Sequence, residues 1–243
     1  MKKTFFYPAI LCVSILAGFT SSCSHDDDNE IVPEPQQQEL QTANAVFNLN
    51  PGSEWMYKRY ENSESAPAVL TFSGDTDHVK VESVVNINGV PFSKIKHTIT
   101  NPADEDVFVR YEYSRIDEAG HLVSLYNATE SSDYLATVTE KSAAMVHPGA
   151  DSAYDKVVKN YYGNIQYVVY PQAAMNVESK DYTVIPFKGI FTASKSGVTN
   201  KTLEFNYAKN IGLIQSTSRQ LNGTYVSEER LVSYHLVALK DKK

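Results

Sequence analysis

The chain is predicted to be all-β and mainly antiparallel, a lipocalin-like closed barrel or a strongly curved half-barrel of about ten strands with at most one or two short helices. Three observations predict it. Short segments alternate apolar and polar residues with a period of two, Asn-Gly pairs stand where tight hairpin turns belong, and turn cues recur at the spacing of a barrel or sandwich. A long antiparallel sheet must close on itself or cover its edges, which favours the barrel. A two-sheet β-sandwich is the alternative.

Taken in order, the strand candidates begin with Trp55 to Tyr60 and Ala68 to Ser73. His78 to Ile87 and Val90 to Thr100 form a hairpin across Asn88-Gly89, because both residues tolerate the positive φ of a type I′ turn. Next, Val107, Val109, Tyr111 and Tyr113 alternate with Phe108, Arg110, Glu112 and Ser114, gathering a mostly apolar set on one face. His121 to Tyr126 pairs with that strand through the tight Asp117-Glu118-Ala119-Gly120 connection. Ser132 to Val146 reads either as a short helix capped by Asp133 or as a strand pair, and Asp151 to Tyr162 is similarly open. Asn164 to Tyr170, Tyr182 to Thr192 and Thr202 to Tyr207 follow. A last hairpin joins Ile211 to Gln220 with Thr224 to Leu239 across Asn222-Gly223, and Glu228-Glu229-Arg230 marks a bulge in its final strand.

Composition narrows the function classes. The 243 residues carry 22 Lys+Arg against 29 Asp+Glu, a formal charge of −7, which argues against a surface built to grip nucleic acid. Two cysteines, Cys12 and Cys23, exclude a disulfide scaffold and a four-cysteine zinc site. Residues 1–22 read as a secretory signal: Lys2 and Lys3 precede an apolar stretch from Phe5 to Ala17 that is shorter than the ~20 residues a spanning helix needs. Cleavage removes two lysines and no acid, so the balance moves from −7 to −9. Residues 23–45 follow as an acidic, Pro- and Gln-rich tether, and residues 46–243 as one β-rich domain.

Leu16-Ala17-Gly18-Phe19-Thr20-Ser21-Ser22-Cys23 resembles a bacterial lipobox, which implies lipidation at Cys23. Several acyl tails on one cysteine would supply the hydrocarbon that stable anchoring requires. Ser24 with Asp26, Asp27 and Asp28 resembles the export signal of Bacteroidota-type surface-exposed lipoproteins, which implies the outer membrane and its exterior face. Pro51-Gly52-Ser53-Glu54-Trp55-Met56-Tyr57 and Tyr207-Ala208-Lys209-Asn210-Ile211-Gly212-Leu213-Ile214 resemble the opening and closing strands of a broad, functionally uncharacterised lipoprotein group for which calycin- or LolA-like barrels are implied. Asp151-Ser152-Ala153 resembles an O-glycosylation sequon, which would place a glycan on Ser152.

Candidate chemistry is sparse. Trp55 and Tyr57 share a strand face and suit either a stacking platform for a ligand or core anchors. Tyr161, Tyr162 and Tyr167, with Tyr154 and Tyr170, suit glycan or protein contacts, or simply half-buried strand faces. His78, His97, His121, His147 and His235 are scattered without metal-ligand spacing, so no metal and no cofactor is expected. Asp75/Asp77 and Asp104/Asp106 read as solvated loop tips. No catalytic motif is present, and a hydrolase would require two carboxylates, or a His and a Ser, converging in one cleft. The expected role is therefore a non-enzymatic lipoprotein binding a small apolar or glycan ligand or an envelope protein partner. A structural, adhesin-like domain with a packed interior is the alternative. Replacing Cys23 by Ala is expected to release the protein from membranes on fractionation, and retention would defeat the lipidation reading. Replacing Asp26, Asp27 and Asp28 by Ala should keep the anchor but abolish protease accessibility on intact cells.

Overall fold

The two ends of the domain pair with each other, Trp55 lying opposite Tyr234 and Tyr57 opposite Leu231, and every other strand is laid outward from that seam. In the computed structural model, residues 46–63, 65–103, 106–125, 132–139, 142–149, 154–159, 163–221 and 223–238 are described. Cys23, Ser24, Asp26, Asp27, Asp28, Ser152, Tyr161 and Tyr162 lie outside them. The elements are β1 (Glu54–Ser63), β2 (Ala66–Ile87), β3 (Val90–Asn101), β4 (Asp106–Ile116), β5 (Leu122–Leu125), α1 (Ser132–Thr137), β6 (Ala144–His147), β7 (Asp155–Lys159), β8 (Gly163–Val169), β9 (Ala173–Val177), β10 (Lys180–Ala193), β11 (Lys201–Ala208), β12 (Gly212–Gln220) and β13 (Val226–His235).

All thirteen strands belong to one antiparallel sheet ordered β6-β5-β4-β3-β2-β1-β13-β12-β11-β10-β8-β7, with β9 paired to β10 off that path. The sheet curls strongly into a half-barrel, so the sandwich alternative does not hold. Its bends come from register shifts. In β2 the pairing with β1 jumps from Thr76 to Phe72, and the pairing with β3 shifts between Val81 and Ser83. Such extra residues raise the local twist and let a long strand wrap. The gap between the expected strands Ala68 to Ser73 and His78 to Ile87, where Asp75 reads as a loop tip, is thus a bulge inside one 22-residue strand. The additional strands β6, β7 and β9 are only four or five residues long, too short to display an alternation.

Two further expectations change. The irregularity in β13 falls at Val232, skipped between Ser233 and Leu231, because Glu228, Glu229 and Arg230 stay in regular register with β1. Asn88 and Gly89 do take positive φ, 51° and 84°. Gly223, in contrast, is not among the positive-φ glycines, and the second Asn-Gly site sits in a longer connection closed by the Gln220 N–H donating to the Tyr225 carbonyl at 3.1 Å. Asn222 lies outside the described residues.

The hollow of the sheet is largely filled by rings. Phe187 on β10 is fully buried, stacked on Tyr167 at 4.4 Å and edge-on to His147 at 5.0 Å and Tyr154 at 6.1 Å. His147 belongs to β6, near the opposite end of the sheet, so these contacts draw the two ends together without a ladder between them. Gly189 makes the stack possible: a Cβ there would meet the Tyr167 ring at 2.6 Å. A second, smaller core lies on the outer face, where Phe92, Tyr113 and Leu125 pack with Val138 and Leu135 around α1. Phe187→Ala is expected to lower unfolding free energy by about 3–5 kcal/mol in denaturant titration. Val107→Ser, at a residue 63% exposed, should stay within about 0.5 kcal/mol.

Candidate functional site

On β4 the alternation turns against the usual sense. Tyr113, Tyr111, Val109 and Val107 lie on the outer face, where only Tyr113 is buried, beneath α1, while Val109 and Val107 are exposed. The polar set turns inward. Ser114 is fully buried, and Glu112 and Arg110 face the same hollow from β4 as Ser93, Ile95 and His97 do from β3. Cross-strand pairing sets His97 opposite Arg110, while Asp77 comes from β2 opposite Ile99. Three strands thereby converge two carboxylates on one imidazole.

His97 Nδ1 donates to Asp77 Oδ2 at 2.8 Å, and His97 Nε2 lies 3.6 Å from Glu112 Oε2. Arg110 Nη2 stands 3.9 Å from the same Asp77 oxygen. Burial opposes charge on His97, but the hydrogen bond to Asp77 and the nearby Glu112 carboxylate outweigh it and hold the imidazole up at about 9. Removal from water would raise Glu112, yet His97 and the Ser114 hydroxyl, which donates to Glu112 Oε1, bring it down to about 2. The group at neutral pH is therefore an imidazolium between two carboxylates. Asp77 Oδ1 and His97 Nε2 are buried and have no hydrogen-bond partner among the described residues. Asp77 is not the solvated loop-tip acid that its sequence context suggests, being only 9% exposed.

These groups border a cavity of about 140 Å³. Aromatic rings complete the lining, Phe47, Trp55, Tyr57 and Tyr207, together with Glu229 of β13, and Tyr57 is the cross-strand partner of Asp77. Trp55 and Tyr57 are buried and fastened at their polar tips. The Trp55 indole N–H donates to the Ile211 carbonyl at 2.7 Å, and the Tyr57 hydroxyl donates to the Leu213 carbonyl at 2.9 Å. They are at once core anchors and cavity wall. Tyr167 lies away from it, stacked on Phe187, and Tyr154 packs against His121 and Phe187. Tyr170 is exposed beneath the Lys188 ammonium. A wider cleft of about 450 Å³ opens on the outer face between α1 and the β2–β3 turn, where Asn88 Nδ2 donates to the Leu135 and Ala136 carbonyls.

What the trio can do chemically follows from its protonation. A general base needs a free lone pair, and this imidazole carries protons facing a carboxylate on each side. The Ser114 hydroxyl donates to Glu112 and not to His97. The convergence of two carboxylates on one His is present here as an ion network bordering the cavity. Among the described residues no cluster of His, Cys, Asp and Glu is arranged to hold a metal ion. Sequence reasoning missed the trio because its members are separated along the chain. The one visible signal was polar residues on a regular strand.

No protein-family profile matches the chain, and comparison with curated proteins gives no significant match. Among solved structures it is similar to a provisionally described exported protein with a YmcC-like fold from Bacteroides fragilis NCTC 9343. The TM-score is 0.51 at 12% identity, over 79% of this chain and 99% of that one. It is also similar to a provisionally described lipoprotein from Parabacteroides distasonis ATCC 8503, with a TM-score of 0.48 at 13% identity over 80% of this chain and 100% of that one. The likeness to the Bacteroides fragilis protein shows a shared fold.

The buried histidines predict a peaked stability profile. His97, raised to about 9, contributes stability that is complete below about pH 6.5 and lost as pH rises through 9. His147 lies among Phe47, Phe187 and Tyr207, and burial lowers it to about 3. It destabilises the fold as pH falls from about 6.5 toward 3, because only the unfolded chain takes the proton there. Glu112 adds a loss below about 4.5, complete once pH has fallen through 2. Thermal melts should peak near pH 6.5, with His97→Gln flattening the alkaline limb and His147→Gln the limb just below the peak.

Proposed function

We propose that the chain is a lipid-anchored envelope protein, tethered through Cys23 to the outer membrane with its domain on the cell exterior, that binds a small ligand without transforming it. The signal segment, the lipobox-like residues and the acidic stretch support the location. One observation carries the binding reading: a cavity of about 140 Å³ sits where the curled sheet turns its charged residues inward against an aromatic wall. A dry cavity of about 150 Å³ suffices for a benzene ring, so the space suits a single ring or the end group of a longer molecule. Its polar side favours a hydroxylated or charged ligand, such as a glycan residue, over a purely apolar one.

A second reading, an interaction domain with a filled interior, is favoured by the exposed Val107, Phe108 and Val109 on β4 and by the ring-packed core around Phe187. Trp55 is the only tryptophan and lines the cavity, so its fluorescence reports occupancy directly. Titrating the mature protein with neutral monosaccharides, amino sugars and small cyclic alcohols should give a saturable change with at least one class. Ile95→Phe, which fills the space, should abolish it. Flat emission across the panel, with the melting temperature unmoved, overturns the binding reading in favour of the packed domain.

A further inference from the structure

We infer that the group held in the half-barrel cavity is an organic ammonium, a ring-sized primary amine whose N–H bonds are taken by the carboxylates of the inner face. This rests on the binding reading above and names the chemistry of its ligand. The charge count carries it first. Asp77, Glu112 and Glu229 border the cavity, and His97 is the one cationic side chain among its lining residues. Two arginines offset part of that excess from outside the lining, and Arg110 Nη2 lies 3.9 Å from Asp77 Oδ2 and 3.2 Å from His97 Nδ1. Arg110 is outside the lining with its side chain 47% exposed, and Arg59, opposite Glu229 on the neighbouring strand, pairs with Glu61 at 2.8 Å.

The second observation is an unmet acceptor. Asp77 is nine-tenths buried, its Oδ2 receives the His97 proton, and its Oδ1 has no donor among the described residues. A buried carboxylate oxygen without a donor is costly, and the ligand atom that answers it must bring an N–H or O–H. An ammonium does so while also balancing the charge.

The third is the aromatic part of the lining, which begins beside Asp77 at its cross-strand partner Tyr57. Phe47, Trp55, Tyr57 and Tyr207 present rings to the same space. Aromatic faces attract cations, and a site that sets rings beside carboxylates resembles the cages that hold alkylammonium groups. A sugar or cycloalkane ring bearing the amine would lie against the aromatic side. The Asp77 acceptor favours a primary ammonium, which carries N–H donors, over a quaternary one, which carries none.

The test uses the mature protein and Trp55 fluorescence, checked by calorimetry at matched ionic strength. Glucosamine against N-acetylglucosamine, and cyclohexylamine against cyclohexanol, compare charged with neutral rings. Comparing the two amines separates an amino sugar from an alkylammonium source, and choline asks whether an N–H is needed. The charged member of each pair that binds should do so at least about tenfold more tightly, as expected for a charge-assisted bond in a partly desolvated site. Choline should be weaker than the better primary amine. Asp77→Asn should remove most of that preference. Because Asp77 also holds His97, Glu229→Gln serves as the second variant, expected to weaken amine binding several-fold and leave any neutral-ring binding unchanged. If the neutral rings bind as well as the amines, the ammonium assignment is wrong while the binding reading stands. If neither kind binds, both fall.

Discussion

A protonated imidazole buried between Asp77 and Glu112 ties three neighbouring strands to one alignment. His97 comes from β3, Asp77 from β2 and Glu112 from β4, and the contact with Asp77 is 2.8 Å. Sliding any of these strands by one residue would turn its charge to the outer face and leave the remaining charges buried without a partner. Breaking a buried pair on one side costs on the order of 3–5 kcal/mol, so the register of this half of the sheet is strongly specified. The same alignment explains why β4 carries Val107 and Val109 on its outside. The inner face of these strands is reserved for the ionic group, and the outward apolar residues are covered only where α1 reaches Tyr113.

The other half of the half-barrel is held by a different force. Between β6 and β10–β11 there is no ladder, and the hollow is spanned by Phe47, His147, Phe187 and Tyr207 in mutual edge or tilted contact. His147 belongs to this set as a neutral ring: its Nδ1 accepts the Gly149 N–H at 3.0 Å, and burial keeps it deprotonated. Two histidines of one sheet thus sit in opposite states, one charged because carboxylates surround it and one neutral because rings do. The cavity lies at the border between these regions, where aromatic packing ends and the ionic network begins. A site with one apolar and one polar side arises there from the packing itself.

Trp55 and Tyr57 join the two halves. Both stand on β1 at the seam with β13, and both donate to carbonyls at the start of β12, at Ile211 and Leu213. Their rings face the cavity while their polar tips fix the strand junction, so occupancy of the cavity and integrity of the seam involve the same side chains. Under the proposed anchoring, residues 23–45 stand in the chain between the lipidated cysteine and this domain.

By itself the sequence determined the antiparallel class, the Asn88-Gly89 hairpin, the short helix as one of two readings of 132–146, and the pairing partners that lie next to one another along the chain. These are local properties: a period of two, a turn that needs positive φ, a run of polar residues. It also presented Trp55 and Tyr57 as significant without deciding between anchor and ligand contact. Only the tertiary structure decided that Ser73-Gly74-Asp75 is a bulge, that β1 seals against β13, and that the polar set of β4 points inward. Asp77, His97 and Glu112 are each ordinary in their local context, and alternation says which residues share a face but not which face is the inside. The curl of the sheet chooses that, because it is set by contacts between strands far apart in sequence, and with it the site appears.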